Sequence, residues 1–436
     1  LPFSDRYLET PVIQVNQVGY NPRAAKRFAY ISGWLGDGGP LAMTNFPSTA
    51  DVIFDWEDRM TPRTNAVSNL AITLRSANDT DSGGEVREIN LAGVPAAEGV
   101  VYRVRIPGVG VSWPTQVSET AVFKAFFTAA RGLYHNRWGR DLLKQCTEWV
   151  SPPDHPLVYK GELYDAYGNP LFGFGPTRMF PESTPKLEQR PLQGGHHNAG
   201  DFDVQLSDHV IAMMLLRLYE INPEAFTDGQ LMIPESGNGI PDILDEALWS
   251  LHAWEQLQED DGGVRAGVES WREPWGIYHA QDDPLPYWTY SRVPMHSLRV
   301  AGMFAQAARL VAPFNPAKAA ELRDRAIRAY EYAVANGANQ NSRGPMMYGA
   351  GELFHLTSEQ PYVDMYAATW AVEDKYGLGP GMYAYLPDVS SYYDPVPYLI
   401  PDHVLGYITS PGANPAYVAQ IRTKLSTMAA NAALAV

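Results

Sequence analysis

The sequence has little cysteine, few basic residues and no long apolar run, and each shortage excludes a class of protein. Cys146 stands alone, which rules out an internal disulfide framework and a zinc cluster built on thiolates. The 33 Lys and Arg are outnumbered by 49 Asp and Glu, and the formal net charge of −16 argues against nucleic acid and polyanionic ligands. No 18 consecutive residues are apolar, so no membrane-spanning segment is predicted. The chain opens without a charged and then apolar leader, so no signal peptide is predicted either.

Aromatic residues, by contrast, are abundant. They make up 12% of the 436 residues, with 11 Trp and 25 Tyr. A chain of this length predicts two or three domains, whose cores take most of these rings. The surplus indicates a groove lined with flat rings, on which the apolar C–H faces of sugar rings stack.

The first part of the chain has the pattern of short strands. Residues Ile13–Val18 alternate apolar and polar side chains and are followed by the turn sequence Gly-Tyr-Asn-Pro. Further strand-like runs are Phe28–Ile31, Asp51–Trp56, Leu70–Leu74 and Val100–Ile106. This period of two, broken by turn residues, predicts an antiparallel β-sandwich over residues 1–117.

Near residue 118 the apolar spacing changes to that of helices. The predicted helices are Thr120–Leu133, Phe202–Ile221, Ile240–Gln258, Met295–Leu310, Pro316–Ala335, Met347–Thr357, Val363–Glu373 and Pro415–Leu434. No strands are predicted between them, which excludes a βαβ architecture. Residues 118–436 are therefore predicted to form an α/α barrel, with function in its long loops.

The densest polar cluster is the segment Gly194–Asp203, directly before an apolar helix. Its glycines allow positive φ or close approach of a ligand. Asp201 falls near the helix start, where backbone N–H groups and the macrodipole favour an ionised carboxylate. Such a carboxylate can act as a general base towards water. The alternative is that Asp201 only caps the helix and that the histidines of the segment lie on the surface.

Four segments together resemble glycoside hydrolase family 9, the inverting cellulases, in the variety with an N-terminal immunoglobulin-like domain. They are Ile13–Pro22, Gly132–Gly139, Gly195–Asp201 and Asn238–Glu246, the last followed by Asp261–Val264. The resemblance implies an immunoglobulin-like sandwich over residues 1–117 and an (α/α)6 barrel over residues 118–436. The chain has roughly eight predicted helices where the family barrel has about twelve, so the barrel is expected to lack its last helices here.

The resemblance also implies roles for residues. Asp201 matches the catalytic base of the family. Asn198 stands where a second Asp helps to hold the water, so the charge there is lost, and His196 and His197 replace an aromatic pair. The family's general acid, a Glu near the C-terminus, finds no match, and no substitute is nominated among Glu269, Glu273 and Glu352.

Aromatic and polar side chains gather in two further loops and are expected to bind the sugar. With the two histidines, the predicted substrate-binding residues are His196, His197, Trp271, Trp275, Tyr278, His279 and Trp288. The alternative is a loop that packs its own rings.

No cofactor is expected to be required. The acids Asp242, Asp245 and Glu246 are candidates for a structural calcium, although acids at a helix start are common without one.

The expected function is therefore hydrolysis of β-1,4-linked glucans by inversion. The alternatives are an exo-acting β-glucosidase or β-glucosaminidase and a carbohydrate-binding pseudoenzyme. The expected partners are an oligo- or polysaccharide and a second chain or fragment that completes the barrel. A secreted or periplasmic location is favoured over a cytoplasmic one.

Overall fold

The computed structural model describes residues 3–56, 61–155, 157–160, 188–198, 209–270, 279–285, 287–376 and 402–434. The chain divides into two compact units, Leu1–Ala129 and Ala130–Val436. The sequence placed the domain boundary between residues 117 and 118, where the strand pattern ends. The structure divides the chain after Ala129, which lies inside the helix Phe123–His135. The predicted order, a β domain followed by a helical domain, is confirmed.

The first unit is built from short strands, as the period of two predicts. They are β1 (Ile13–Gln14), β2 (Phe28–Ile31), β3 (Thr49–Phe54), β4 (Asn65–Ser76), β5 (Val86–Asn90), β6 (Val101–Ile106), β7 (Gly110–Val111) and β8 (Thr115–Gln116). The order is β1-β2-β5-β4-β3-β6-β7, with β8 also paired to β6, and every pairing is antiparallel.

Strand β4 joins two layers of this unit. Residues 65–71 pair with β3, whereas residues 72–76 pair with β5. The inward side chains of both layers share one core, to which Ile31 and Ile89 contribute from one side and Val52 and Val104 from the other. Burying each such side chain is worth about 1.5–3 kcal/mol. The arrangement is the expected β-sandwich.

The second unit is mainly helical. Its helices are α1 (Phe123–His135, which begins in the first unit), α2 (His209–Ile221), α3 (Asp242–Leu257), α4 (Pro294–Val311), α5 (Pro316–Ala335), α6 (Arg343–Thr357), α7 (Gln360–Tyr376), α8 (Asp402–Ile408) and α9 (Pro415–Leu434). Among the described residues, no helix is both long and apolar enough to cross a membrane.

Helices α4 and α6 form the interior of this unit. Most of their residues are buried, whereas α5 is buried along one stripe only. A helix buried on all sides needs neighbours on all sides, and α4 packs against α2, α3, α5 and α6. An inner set of helices covered by outer ones is the layering that an α/α barrel requires; closure of the barrel stays a prediction.

The prediction that no strands lie between the helices is wrong. Strands β9 (Val158–Lys160), β10 (Glu188–Arg190), β11 (Val268–Ser270) and β12 (Tyr287–Thr289) form a small sheet in the order β10-β9-β12-β11. Three residues are too few to show a period of two, and the partners lie far apart in the sequence. Helix α8 was missed for a similar reason, since seven residues carry little periodicity.

Candidate active site

The segment 194–198 is held by backbone hydrogen bonds to the turn after α1 and to α3. The N–H of Gly194 donates to the Trp138 carbonyl (3.2 Å), and the N–H of Trp138 donates to the Gly195 carbonyl (3.1 Å). The N–H of Gly195 donates to the carbonyl of Trp249, whose indole Nε1 donates back to the Gly195 carbonyl at 2.9 Å. These bonds fix the course of the chain shortly before Asp201.

Gly194 is required by this packing. Its φ is +97°, a conformation that L side chains rarely adopt, and a Cβ would lie 2.5 Å from the backbone nitrogen of Ala253 in α3. The sequence analysis predicted that glycines here allow close approach. At Gly194 the approaching group is α3.

Arg137 forms the centre of a buried ion-pair cluster behind the segment. Its Nη2 donates to Glu246 Oε2 at 2.9 Å, and its Nη1 lies 3.0 and 3.1 Å from the two oxygens of Glu235. The guanidinium also lies over the ring of Trp249, 4.7 Å from the centroid. Both the Arg137 and Glu246 side chains are fully buried, so each depends on the other for compensation of its charge.

His196 joins the same cluster. Its Nε2 lies 2.9 Å from Glu246 Oε1, and its side chain is fully buried. Burial would raise the pKa of Glu246, but Arg137 and His196 outweigh it and hold that pKa below its usual range. The role that this geometry supports for His196 is to hold the segment; its predicted contact with substrate stays untested.

His197 faces a different cluster. Its Nε2 contacts Asp154 Oδ2, and the same oxygen lies 3.1 Å from His155 Nδ1, while His155 Nε2 lies 3.3 Å from Asp283. Burial would raise the pKa of Asp154, but the hydrogen bonds and positive charge offered by the two histidines hold it well below its usual range. Asp154 Oδ1 also accepts the N–H of Gly139 at 2.6 Å.

Asp154, His155 and His197 could together hold a metal ion. One ligand atom from each lies within 4.8 Å of the others. Two imidazoles and a carboxylate suit Zn²⁺ better than Ca²⁺, which prefers oxygen. In the structure, Asp154 Oδ2 is hydrogen-bonded to His155 Nδ1 and to His197 Nε2, so these hydrogen bonds hold the three side chains together.

The three acids proposed for calcium do not converge. Asp242 accepts backbone N–H groups at 2.8 and 2.6 Å from the loop before α3, and Glu246 is bound by Arg137. Asp245 accepts one hydrogen bond from Asn238 at 3.1 Å. Within the described ranges the three do not form a group with metal-ligand spacing. Calcium at these acids stays a prediction without support from this geometry.

The remaining predicted site residues divide into two sets. Asn198 is half-buried at the end of the fixed segment, His279 is exposed, and Trp288 lies partly buried on β12, opposite Glu269 of β11. Four predicted residues lie outside the described residues: Asp201, Trp271, Trp275 and Tyr278. Their roles stay predictions.

Glu352 does not have the surroundings of a general acid. It is fully buried, and its two oxygens accept from Arg217 and Arg309, each at 3.0 Å. Both oxygens are thus occupied by cations, so the group cannot face a departing oxygen. Glu269 is also buried, and Glu273 lies outside the described residues.

Sequence reasoning missed Arg137, Glu246 and Asp154 as supports of the segment. Arg137 lies in the segment Gly132–Gly139, which carries part of the family resemblance but gave this residue no role, and Glu246 was considered only as a calcium candidate. Asp154 offered only its neighbour His155 as a signal, because its partner His197 is 43 residues away.

The comparisons with known proteins give one family. The model of glycosyl hydrolase family 9 matches residues 133–396, which is more than half of the chain. A cellulose 1,4-beta-cellobiosidase of Acetivibrio thermocellus is 26% identical over 357 residues, covering 75% of this chain and 36% of the relative. Endoglucanase C of Cellulomonas fimi is 31% identical over 172 residues, covering 37% of this chain and 15% of the relative. The chain thus spans about a third or less of the length of these relatives.

Solved structures share the fold. A metagenome-derived glycoside hydrolase family 9 endoglucanase superposes with a TM-score of 0.71 at 24% identity, over 94% of this chain and 71% of that one. A Bacteroides ovatus family 9 protein gives a TM-score of 0.69 at 17% identity, over 97% and 72%. The profile match covers the ion-pair cluster, the segment 194–198 and the position of Asp201. The chain belongs to glycosyl hydrolase family 9.

Proposed function

We propose that this chain hydrolyses β-1,4-linked glucans with inversion of the anomeric carbon, and that Asp201 is the general base. The observation that carries the proposal is the rigid fixing of residues 194–198 by α3 and by Arg137–Glu246–His196. A base must be held within hydrogen-bond reach of the water that it activates, and the fixing of the residues shortly before position 201 supports such a role for Asp201. The cellulase names of the matched relatives support the substrate class.

In the proposed reaction, Asp201 removes a proton from water as the water attacks the anomeric carbon. Asn198 accepts or donates a hydrogen bond that orients this water, without adding charge. A carboxylic acid on the other face of the sugar protonates the departing oxygen, at roughly 6.5–9.5 Å from the base. The reaction needs water and two carboxyl groups and no cofactor. The acid is not assigned to any residue.

The direct test replaces the base. Asp201→Asn keeps the shape of the side chain and removes its basicity, so kcat on cello-oligosaccharides is expected to fall by about 10²–10⁴-fold. Asp260→Asn, at an exposed acid on the loop after α3, serves as the matched control. Proton NMR of the first product shows the anomer released, and inversion predicts the α-anomer. Unchanged kcat in Asp201→Asn, or release of the β-anomer, overturns the proposal.

A second candidate of the same class is an exo-acting β-glucosidase or β-glucosaminidase. The net charge of −16 favours the glucosaminidase, because an acidic surface suits a cationic amino sugar. Cello-oligosaccharides, aryl glucosides and chito-oligosaccharides assayed in parallel separate the two: release of single sugars from one end indicates exo action. A pseudoenzyme would bind these sugars without turnover, and Asp201→Ala would leave its affinity unchanged.

We also propose that a second chain or fragment packs against the helical unit. Helix α2 leaves Met214, Leu218 and Ile221 between 43% and 65% exposed on one side, a stripe that favours a packing partner. Co-expression with a helical fragment followed by co-purification tests this, and Met214→Glu is expected to abolish the pairing. Because the proposed substrate class includes insoluble polymers, we also propose that the protein acts outside the cytoplasm, which cell fractionation tests.

A further inference from the structure

The outward face of β2 in the sandwich carries two aromatic rings. Ala29 and Ile31 point into the core, so the alternating Phe28 and Tyr30 point outwards. Their ring centroids lie 6.4 Å apart, and the two ring planes are inclined at 28°. Both are only partly buried, so part of each ring faces solvent.

These rings form the floor of a groove of 790 Å³. One wall is the segment of β1 and the following turn, to which Asn16 and Tyr20 belong. Tyr20 is fixed there because its hydroxyl donates to the Phe28 carbonyl at 2.6 Å and accepts the N–H of Asn16 at 3.0 Å. The volume lies within the range of ordinary ligand pockets.

Polar groups border the rings on both sides. Across the sheet, Tyr30 pairs with Gln14 of β1 and with Glu88 of β5. The guanidinium of Arg75 lies over the Tyr30 ring at 5.3 Å and 3.6 Å from Glu88. Amide, carboxylate and guanidinium groups offer both donors and acceptors, which is what the hydroxyl groups around a sugar ring require. Glu88 balances the charge of Arg75, and Lys26 adds one further cation to the lining of the groove.

We propose that this groove is a second glycan-binding site, separate from Asp201, and that it takes a chain of a neutral β-linked glucan. Two rings side by side on one strand match neighbouring units of a chain, and the flanking groups bind the hydroxyls. A polyanion is disfavoured by the net charge of −16. The choice of glucan, though not the existence of the groove, rests on the proposed function. The site would hold the polymer while the catalytic unit acts on it.

The test measures binding, so an inactive chain still answers it. Affinity electrophoresis of the whole chain in gels containing hydroxyethylcellulose gives the dissociation constant, in the Asp201→Asn background to prevent turnover. Tyr30→Ala is expected to weaken binding roughly two- to tenfold, the range for losing one aromatic stack. Tyr30→Phe keeps the ring and is expected to bind within twofold of the parent. Trp34→Ala removes an exposed aromatic of the same unit outside the groove and is the matched control.

The outcomes separate the two proposals. Equal affinity of Tyr30→Ala, Phe28→Ala and Trp34→Ala overturns the second site, whatever Asp201 does. Loss of binding in the two groove variants, with no hydrolysis by the chain that retains Asp201, supports the site and defeats the proposed function. Stronger binding to an anionic glycan than to the neutral polymer overturns the ligand class. Circular dichroism and thermal melting check that each variant is folded.

Discussion

His196 and His197 are neighbours in the sequence, yet they lie in opposite environments. His196 is fully buried and lies against Glu246, whose charge is already compensated by Arg137. His197 is still 11% exposed and contacts Asp154, which it shares with His155. One histidine is thus held by α3, and the other by the loop around residue 154.

This difference indicates different roles for two clusters. We call Arg137, Glu246 and His196 the α3 anchor, and Asp154, His155 and His197 the Asp154 anchor, or second anchor. A fully buried ion pair tolerates little change, because removing one partner leaves an unpaired charge away from water. Asp154 is buried as well, at 4% exposure, but it is hydrogen-bonded to His197, His155 and the N–H of Gly139, so the loss of one partner leaves it bound to the others. We infer that the α3 anchor stabilises the fold, whereas the Asp154 anchor sets the position of the residues that follow His197.

The largest expected effect comes from breaking the α3 anchor. Arg137→Met leaves Glu246 buried without its cation, and we expect a loss of about 3–5 kcal/mol in the free energy of unfolding. Urea unfolding of the helical unit, followed by tryptophan fluorescence, measures it. Arg328→Met, which breaks an exposed pair with Asp324, is the control and is expected to cost less than about 1 kcal/mol.

A double replacement sharpens this prediction. Arg137→Met combined with Glu246→Leu removes both charges, so at least half of the lost stability is expected to return. If Arg137→Met behaves like Arg328→Met, the α3 anchor is not a stabilising element and the comparison fails.

The next effect concerns pH. Asp245 lies one turn into α3, and burial, with the carboxylates of Glu235, Asp242 and Asp228 nearby, raises its pKa to about 7. A carboxyl whose pKa is raised on folding favours the folded state only while protonated. Its destabilising effect therefore sets in above its ordinary pKa of 3.8, grows as the pH rises, and is complete above about 7.

Asp245→Asn removes this pH dependence and keeps the acceptor for Asn238. We expect its melting temperature to exceed that of the parent by a few degrees at pH 8 and to match it near pH 4. Asp260→Asn, at an exposed acid, should show no such trend. A difference that is constant from pH 4 to pH 8 would contradict the raised pKa.

The sequence predicted the long helices well. The bounds of α5 and α9 are those predicted, and α3 and α4 differ by a residue or two at each end. Each has more than 15 residues, over which an apolar stripe is unmistakable. The family motifs likewise placed the segment 194–198 correctly before the apolar helix α2.

The sequence could not show what holds that segment. The partners of His196 and His197 are 50 and 43 residues away, and only tertiary packing decides which histidine meets which acid. For the same reason Glu246 was read as a calcium ligand, since nothing local reveals that Arg137 occupies its oxygens. Three-residue strands such as β9 and β12 depend on long-range pairing and have no signal of their own.

The sharpest test of the second anchor comes from Asp154→Asn. The amide keeps the size of the side chain but loses the charge that both histidines face, and because Asp154 is buried we expect a loss of about 1–3 kcal/mol in the free energy of unfolding, less than for Arg137→Met. Because His197 is then held less firmly, kcat on cello-oligosaccharides should fall by roughly three- to tenfold while KM changes little. Asp283→Asn is the matched control: it removes the other partner of His155 and does not touch His197, so kcat should stay within twofold. Equal losses in both variants would mean that the cluster acts as a whole rather than through His197, and the division of tasks between the two anchors would fall.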